Sequence, residues 1–141
     1  LMKNLILNNV RNVEVQKTAL GSRRQFKTMH YFPRVRGNGG NSLLDVHPMV
    51  QGEGVELNQV QVYPLDDYLF SPDLLKIDTE GYELEVLRGA RDTLTRTRKV
   101  LVEAHRDEDV EKIRVLLMAS GFNVRLIFSK HEIHVCGERL T

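Results

Sequence analysis

At 141 residues, 41% hydrophobic and 28% charged, the chain has the size and balance of one globular domain, and its formal net charge of +1 gives nucleic acid or an anionic membrane no electrostatic reason to bind. A single cysteine, Cys136, excludes an internal disulfide and a cysteine zinc cage, and it fits a reducing, cytoplasmic compartment. No apolar run approaches the ~18 residues of a membrane span, and the opening Leu1-Met2-Lys3-Asn4 carries no signal-peptide pattern.

Residues 1–9 read as the end of a helix. A chain that opens inside an element, on Leu rather than Met, is expected to be a fragment. Residues 12–18 alternate with period two and predict a strand. Gly21-Ser22 marks a turn, and residues 25–32 predict a more exposed strand or half of a hairpin. Residues 36–58 read as an irregular region: three glycines fall within 37–40, and Gly52 and Gly54 break any later pattern. After it, 59–63 predicts a short strand stopped by Pro64.

The pattern then sharpens. Asp66 opens a short helical turn stopped by Ser71-Pro72, and Asp66-Asp67 suits a turn and cap. Residues 74–78, a compact apolar run ending in an acid, predict a buried parallel strand. Residues 80–95 predict one helix, with Leu84, Leu87, Ala90 and Leu94 on its apolar face and Glu83, Arg88 and Arg91 elsewhere. Residues 99–104 predict a second buried strand, and 107–120 a second amphipathic helix stopped by Gly121. Residues 124–128 and 132–136 predict a closing antiparallel pair. This order implies a doubly wound α/β sheet with one antiparallel strand at its end.

Open α/β sheets bind ligands at the carboxyl ends of their strands. That rule selects Asp78-Thr79-Glu80-Gly81, where two carboxylates flank a strand end and a glycine permits close backbone approach. The competing reading makes Asp78 a cap and Glu80 and Glu83 helix N-terminal acids. The rule also selects Glu103-Ala104-His105, whose first and last residues share one side of the strand. A His beside a carboxylate makes a general base or an ordinary hydrogen-bonded pair. Elsewhere, His131-Glu132-Ile133-His134 has its histidines three apart rather than four, so it decorates a hairpin and no metal site is expected there. Arg23, Arg24, Lys27, Arg34 and Arg36 interleave with Phe26, His30, Tyr31 and Phe32, which suits either a sugar-like or anionic substrate or a solvated flap. Tyr82 either walls the pocket or packs at the helix start. Neither a G-x-G-x-x-G nor a P-loop is present.

The run from Tyr63 to Leu69, the stretch Lys76-Ile77-Asp78-Thr79-Glu80-Gly81, and Glu83-x-x-Val86-Leu87-x-Gly89-Ala90 together resemble the FkbM family of methyltransferases. Val100-Leu101-Val102-Glu103, Gly121-Phe122, the stretch 8–15 and Ala19-Leu20-Gly21 extend the resemblance. It implies a Rossmann-like class I methyltransferase fold, S-adenosylmethionine as cofactor, and a small-molecule hydroxyl acceptor, often a sugar or natural product. It also implies a glycine turn and an acidic residue on two earlier strands that hold the cofactor, and this sequence shows neither. The chain would then be a partial domain over 1–141, inactive alone, with a gap in its sheet and exposed edges through which it could self-associate. Of the expected cofactor contacts, Thr18, Ala19 and Leu20 match a position near the adenine, and Asp78 is the first candidate to face the sulfonium, orient the acceptor hydroxyl or accept its proton. For catalysis the resemblance and the strand-end position favour Asp78, then Glu80, with Glu103 and His105 in support. Two other readings stay open: a non-catalytic shortened paralogue acting as a binding module, and a metal-dependent hydrolase using Asp78, Glu80, Glu103 and His105.

Overall fold

The computed structural model describes residues 1–31, 43–44, 56–130 and 132–139. Its organising strand is the one with the cleanest alternation. Val100, Val102 and Ala104 are buried while Leu101 and Glu103 are half-exposed, so one face of Lys99–Ala104 lies on the core. In chain order the elements are α1 (Met2–Leu7), β1 (Ala19–Leu20), β2 (Gln25–Tyr31), β3 (Glu56–Tyr63), a 3-10 turn (Leu65–Tyr68), β4 (Leu74–Ile77), α2 (Glu83–Arg88), α3 (Arg91–Arg96), β5 (Lys99–Ala104), α4 (Asp107–Ala119), β6 (Asn123–Phe128) and β7 (Ile133–Glu138).

Among the described residues the strands form two sheets. The larger has the order β4-β5-β7-β6 and the smaller β1-β3-β2. β4 and β5 run parallel, β7 is antiparallel to both β5 and β6, and β2 and β3 make an antiparallel pair joined by β1 in parallel. The chain is thus mixed α/β, with the predicted antiparallel pair at its C-terminal end. Val62 of β3, Val86 and Leu87 of α2, Val102 of β5 and Ile113 and Leu117 of α4 belong to one buried cluster. Each such side chain contributes roughly 1.5–3 kcal/mol by leaving water. α4 stops at Gly121, whose φ is +87°. The Gly121 N–H bonds to Met118 O and the Phe122 N–H to Leu117 O, which satisfies the last carbonyls.

Several expectations need correction. Residues 12–18 are not a strand: only Ala19 and Leu20 pair with β3, and Val13 is 49% exposed. Alternation marks two faces, but a strand also needs a neighbour to take its hydrogen bonds. The strand at 74–78 is not buried throughout. Leu74 is 58% exposed and Ile77 3%, because β4 is an edge of its sheet among the described residues. The single helix over 80–95 is two. Glu80 and Gly81 have φ of +52° and +93°, so α2 starts only at Glu83. It ends at Gly89, where a Cβ would lie 1.9 Å from Gly21 O, so the backbones pack in contact. Asp66 of the 3-10 turn then caps α3 from a distance, accepting from the N–H groups of Asp92 and Thr93 and from the Thr93 hydroxyl. β3 begins at Glu56, so 56–58 are strand rather than irregular. Phe32, Arg34, Arg36, the Gly-rich loop and His131 lie outside the described residues. Among the described residues no helix is long and apolar enough to cross a membrane.

Candidate active site

The parallel register Ile77↔Val102 brings the carboxyl ends of β4 and β5 to one side. Asp78 follows β4 directly, Glu103 is the penultimate residue of β5, and His105 lies just beyond it. Glu80 and Gly81 carry the chain into α2 through two consecutive left-handed residues. Gly81 suits this twice over, since a Cβ there would also meet Leu44 Cδ1 at 2.6 Å.

Glu83, 1% exposed, holds this turn. Its Oε1 accepts from the Thr79 N–H at 3.1 Å, the Gly81 N–H at 2.9 Å and the Thr79 hydroxyl at 3.3 Å. The same oxygen lies 3.0 Å from His105 Nδ1. A carboxylate only accepts, so Nδ1 carries the proton and Nε2 turns toward the strand ends. There it faces Glu80 Oε2 at 3.6 Å, Glu103 Oε1 at 3.7 Å and Asp78 Oδ1 at 3.8 Å. All three distances exceed hydrogen-bond reach. The imidazole is 24% exposed. Burial pulls its pKa down, but the charge and hydrogen bond of Glu83, then the charges of Glu80 and Glu103, outweigh this and hold it above its ordinary value.

A lysine and a second histidine border the cluster. Lys76 Nζ lies 2.9 Å from Asp78 Oδ2 and 3.8 Å from Glu103 Oε2. Its pKa is raised, first by the hydrogen bond to Asp78 and then by that residue's charge. On the other side, His134 Nε2 is 3.8 Å from both Glu103 Oε2 and Glu132 Oε2. Among the described residues two groups therefore have metal-ligand types and spacing, Asp78–Glu103–His105 and Glu103–Glu132–His134, with ligand atoms within 4.8 Å of one another in each.

The structure thus gathers Asp78, Glu80 and Glu103 around one imidazole nitrogen of His105. It places Ala19 and Leu20 on the smaller sheet, with Thr18 just before them. Thr18 Oγ1 meets Tyr68 Oη at 2.7 Å, and Ala19 and Leu20 pair with Val62 and Tyr63. Thr18 and Ala19 line an open groove there with Phe26, Met29 and Val60. Asp78 caps nothing, since Tyr82 precedes α2. Tyr82 packs at the helix start, 6% exposed, with Lys27 Nζ 5.1 Å from its ring centroid. Of the basic stretch, Arg24 pairs with Asp67 at 2.7 Å. The residue that periodicity misplaced is Glu83, assigned away from the apolar face yet fully buried. Its signal was its place as the first residue of the helix after a Gly, where an acid can reach back to free backbone N–H groups.

A family model described as the methyltransferase FkbM domain matches residues 2–125, which include the whole cluster up to His105. The hexuronic acid methyltransferase AglP of Haloferax volcanii is 33% identical over 69 residues, 48% of this chain and 29% of that protein. The chain therefore spans under a third of the length of the curated relative that it matches. No solved structure matches it. With a match that runs over most of its length and takes in both strand ends, the chain belongs to the FkbM methyltransferase domain family.

Proposed function

We propose that the chain supplies the reacting centre of an S-adenosylmethionine-dependent methyltransferase with a Rossmann-like class I fold, acting on a hydroxyl oxygen of a sugar- or natural-product-like small molecule. Family membership supports methyl transfer, and the convergence of Asp78, Glu80 and Glu103 on His105 Nε2 carries the reading to these residues. The sugar class follows the matched relative, a hexuronic acid methyltransferase.

The donor set suits a cationic methyl donor, because carboxylates crowd the end of the parallel strand pair. Asp78 would face the sulfonium side, and Thr18, Ala19 and Leu20 the adenine side. When bound, S-adenosylmethionine supplies an electrophilic methyl group. The chain's own residues do the rest. Asp78 orients the acceptor hydroxyl and takes its proton, with Glu80 next to it. Glu103 and His105 flank that carboxylate pair in a supporting role, and Glu83 keeps His105 in one tautomer with Nε2 toward the acceptor.

The test is transfer of labelled methyl groups to a panel of hexuronic acids and neutral hexoses by the complete gene product that contains this chain. Asp78→Asn should lower turnover by roughly 10²-fold or more with the fold intact. Turnover within a fewfold of the parent would remove Asp78 from the chemistry, and no transfer to any hydroxyl acceptor would sink the proposed reaction.

A further inference from the structure

We propose that Asp78, Glu103 and His105 form a binding site for one divalent cation of the first transition row, such as Mn2+ or Zn2+. The donor set, two carboxylates and one imidazole nitrogen, is one such ions accept.

Geometry gives the first argument. Nε2 is 3.7 Å from Glu103 Oε1 and 3.8 Å from Asp78 Oδ1. With bonds of about 2.1 Å, ligands of one ion lie about 3.4 Å apart in a tetrahedron, and about 3.0 or 4.2 Å apart in an octahedron. The two separations from Nε2 fall within that span and are too long for hydrogen bonds, and the Asp78 and Glu103 oxygens lie within 4.8 Å of each other, so an ion would draw the three ligands inward.

The second argument is the support behind the ring. His105 Nδ1 donates to Glu83, a carboxylate 1% exposed and itself pinned by the Thr79 and Gly81 N–H groups. A buried carboxylate on the far nitrogen is how proteins fix the tautomer and direction of a metal-binding histidine. This support separates the site from the neighbouring Glu103–Glu132–His134 group, where Glu132 is 51% exposed.

Charge gives the third. Three carboxylates surround Nε2 within 3.8 Å. Lys76, 52% exposed, offsets part of this charge and can withdraw into solvent when an ion enters. Glu80 Oε2, 3.6 Å from Nε2, adds to the negative charge beside the site. A cation here would polarise an acceptor hydroxyl and ease its deprotonation. That role rests on the proposed methyl-transfer reading, whereas the binding does not.

The test is calorimetric titration of MnCl2, and separately of ZnCl2, into the chelator-treated complete gene product without cofactor or acceptor. One ion per chain is expected, with Asp78→Asn, Glu103→Gln and His105→Ala each weakening binding roughly tenfold or more. His134→Ala should leave it within about twofold of the parent. Circular dichroism checks each fold, and Asp78→Asn, at an exposed position, serves if the others do not fold. No binding of either ion up to millimolar concentration overturns the proposal, as does binding that ignores all three substitutions or is abolished by His134→Ala. Ion binding without methyl transfer would sink only the enzymatic reading, whereas methyl transfer with no ion binding would sink only this one.

Discussion

Glu83→Ala removes one buried carboxylate and strands the groups that point at it. The Thr79 hydroxyl and the His105 ring are partly exposed and can turn toward water. The Gly81 N–H cannot, because its bond to Glu83 is buried, and the Thr79 N–H is only partly accessible. A buried donor left without a partner costs about 1–3 kcal/mol, and hydrogen bonds to a charged acceptor contribute about 1.5–3 kcal/mol each. Glu80 adds to this, since its φ of +52° persists only while its surroundings hold it. These terms overlap, so a loss of about 3 kcal/mol is expected, a large share of the roughly 5–15 kcal/mol by which such domains are stable. Urea denaturation followed by circular dichroism reads it. With a slope of about 2 kcal/mol per molar, the midpoint should fall by about 1.5 M at unchanged slope. Glu83→Gln keeps an acceptor but loses the charge, and should fall between parent and Glu83→Ala. A midpoint shift in Glu83→Ala worth under about 0.5 kcal/mol, the range of ordinary surface changes, would show that the turn is held by something else.

Other expectations follow from the packing. Gly81→Ala forces a side chain onto a backbone with φ of +93° and against Leu44, so it should lower stability by about 1–2 kcal/mol, read as a fall in Tm. Gly89→Ala should cost about 1–3 kcal/mol or more, because its Cβ would meet the Gly21 carbonyl, backbone that cannot swing aside; an unchanged Tm would refute that contact. Arg139→Ala removes bonds to the Leu94, Thr97 and Ser120 carbonyls and the stack on Phe122, and should loosen the end of α4 by about 1–3 kcal/mol, with faster amide exchange at 120–122. For Glu85, burial pushes the carboxyl pKa up, but hydrogen bonds from Ser22 and Arg88 outweigh this and hold it below its ordinary value. A depressed folded pKa stabilises above the unfolded value and is lost as pH falls through the folded one. Ser22→Ala should therefore flatten the acid side of the stability profile, and an unaltered profile would count against the Ser22 bond.

The sequence by itself carried what short-range pattern encodes. The apolar run in 99–104 marked a buried strand, the spacing of Ile113 and Leu117 marked α4, and Gly121 marked its stop. The motif around Asp78 and Glu80, with Glu103 and His105 one strand later, was legible because two parallel strand ends must lie on the same side of a sheet. Tertiary structure alone decided the rest. Whether 12–18 pairs depends on a neighbour distant in sequence, and β3 reaches only Ala19 and Leu20. The break between α2 and α3 depends on Gly21 meeting Gly89 across two different elements. Glu83 looked like a solvent-facing helix acid until the turn before it, its backbone N–H groups and the His105 ring closed over it. Periodicity records which side of an element is apolar. It carries no record of a buried charge whose partners arrive from another strand, and here that charge sets the direction of the one imidazole around which the site is built.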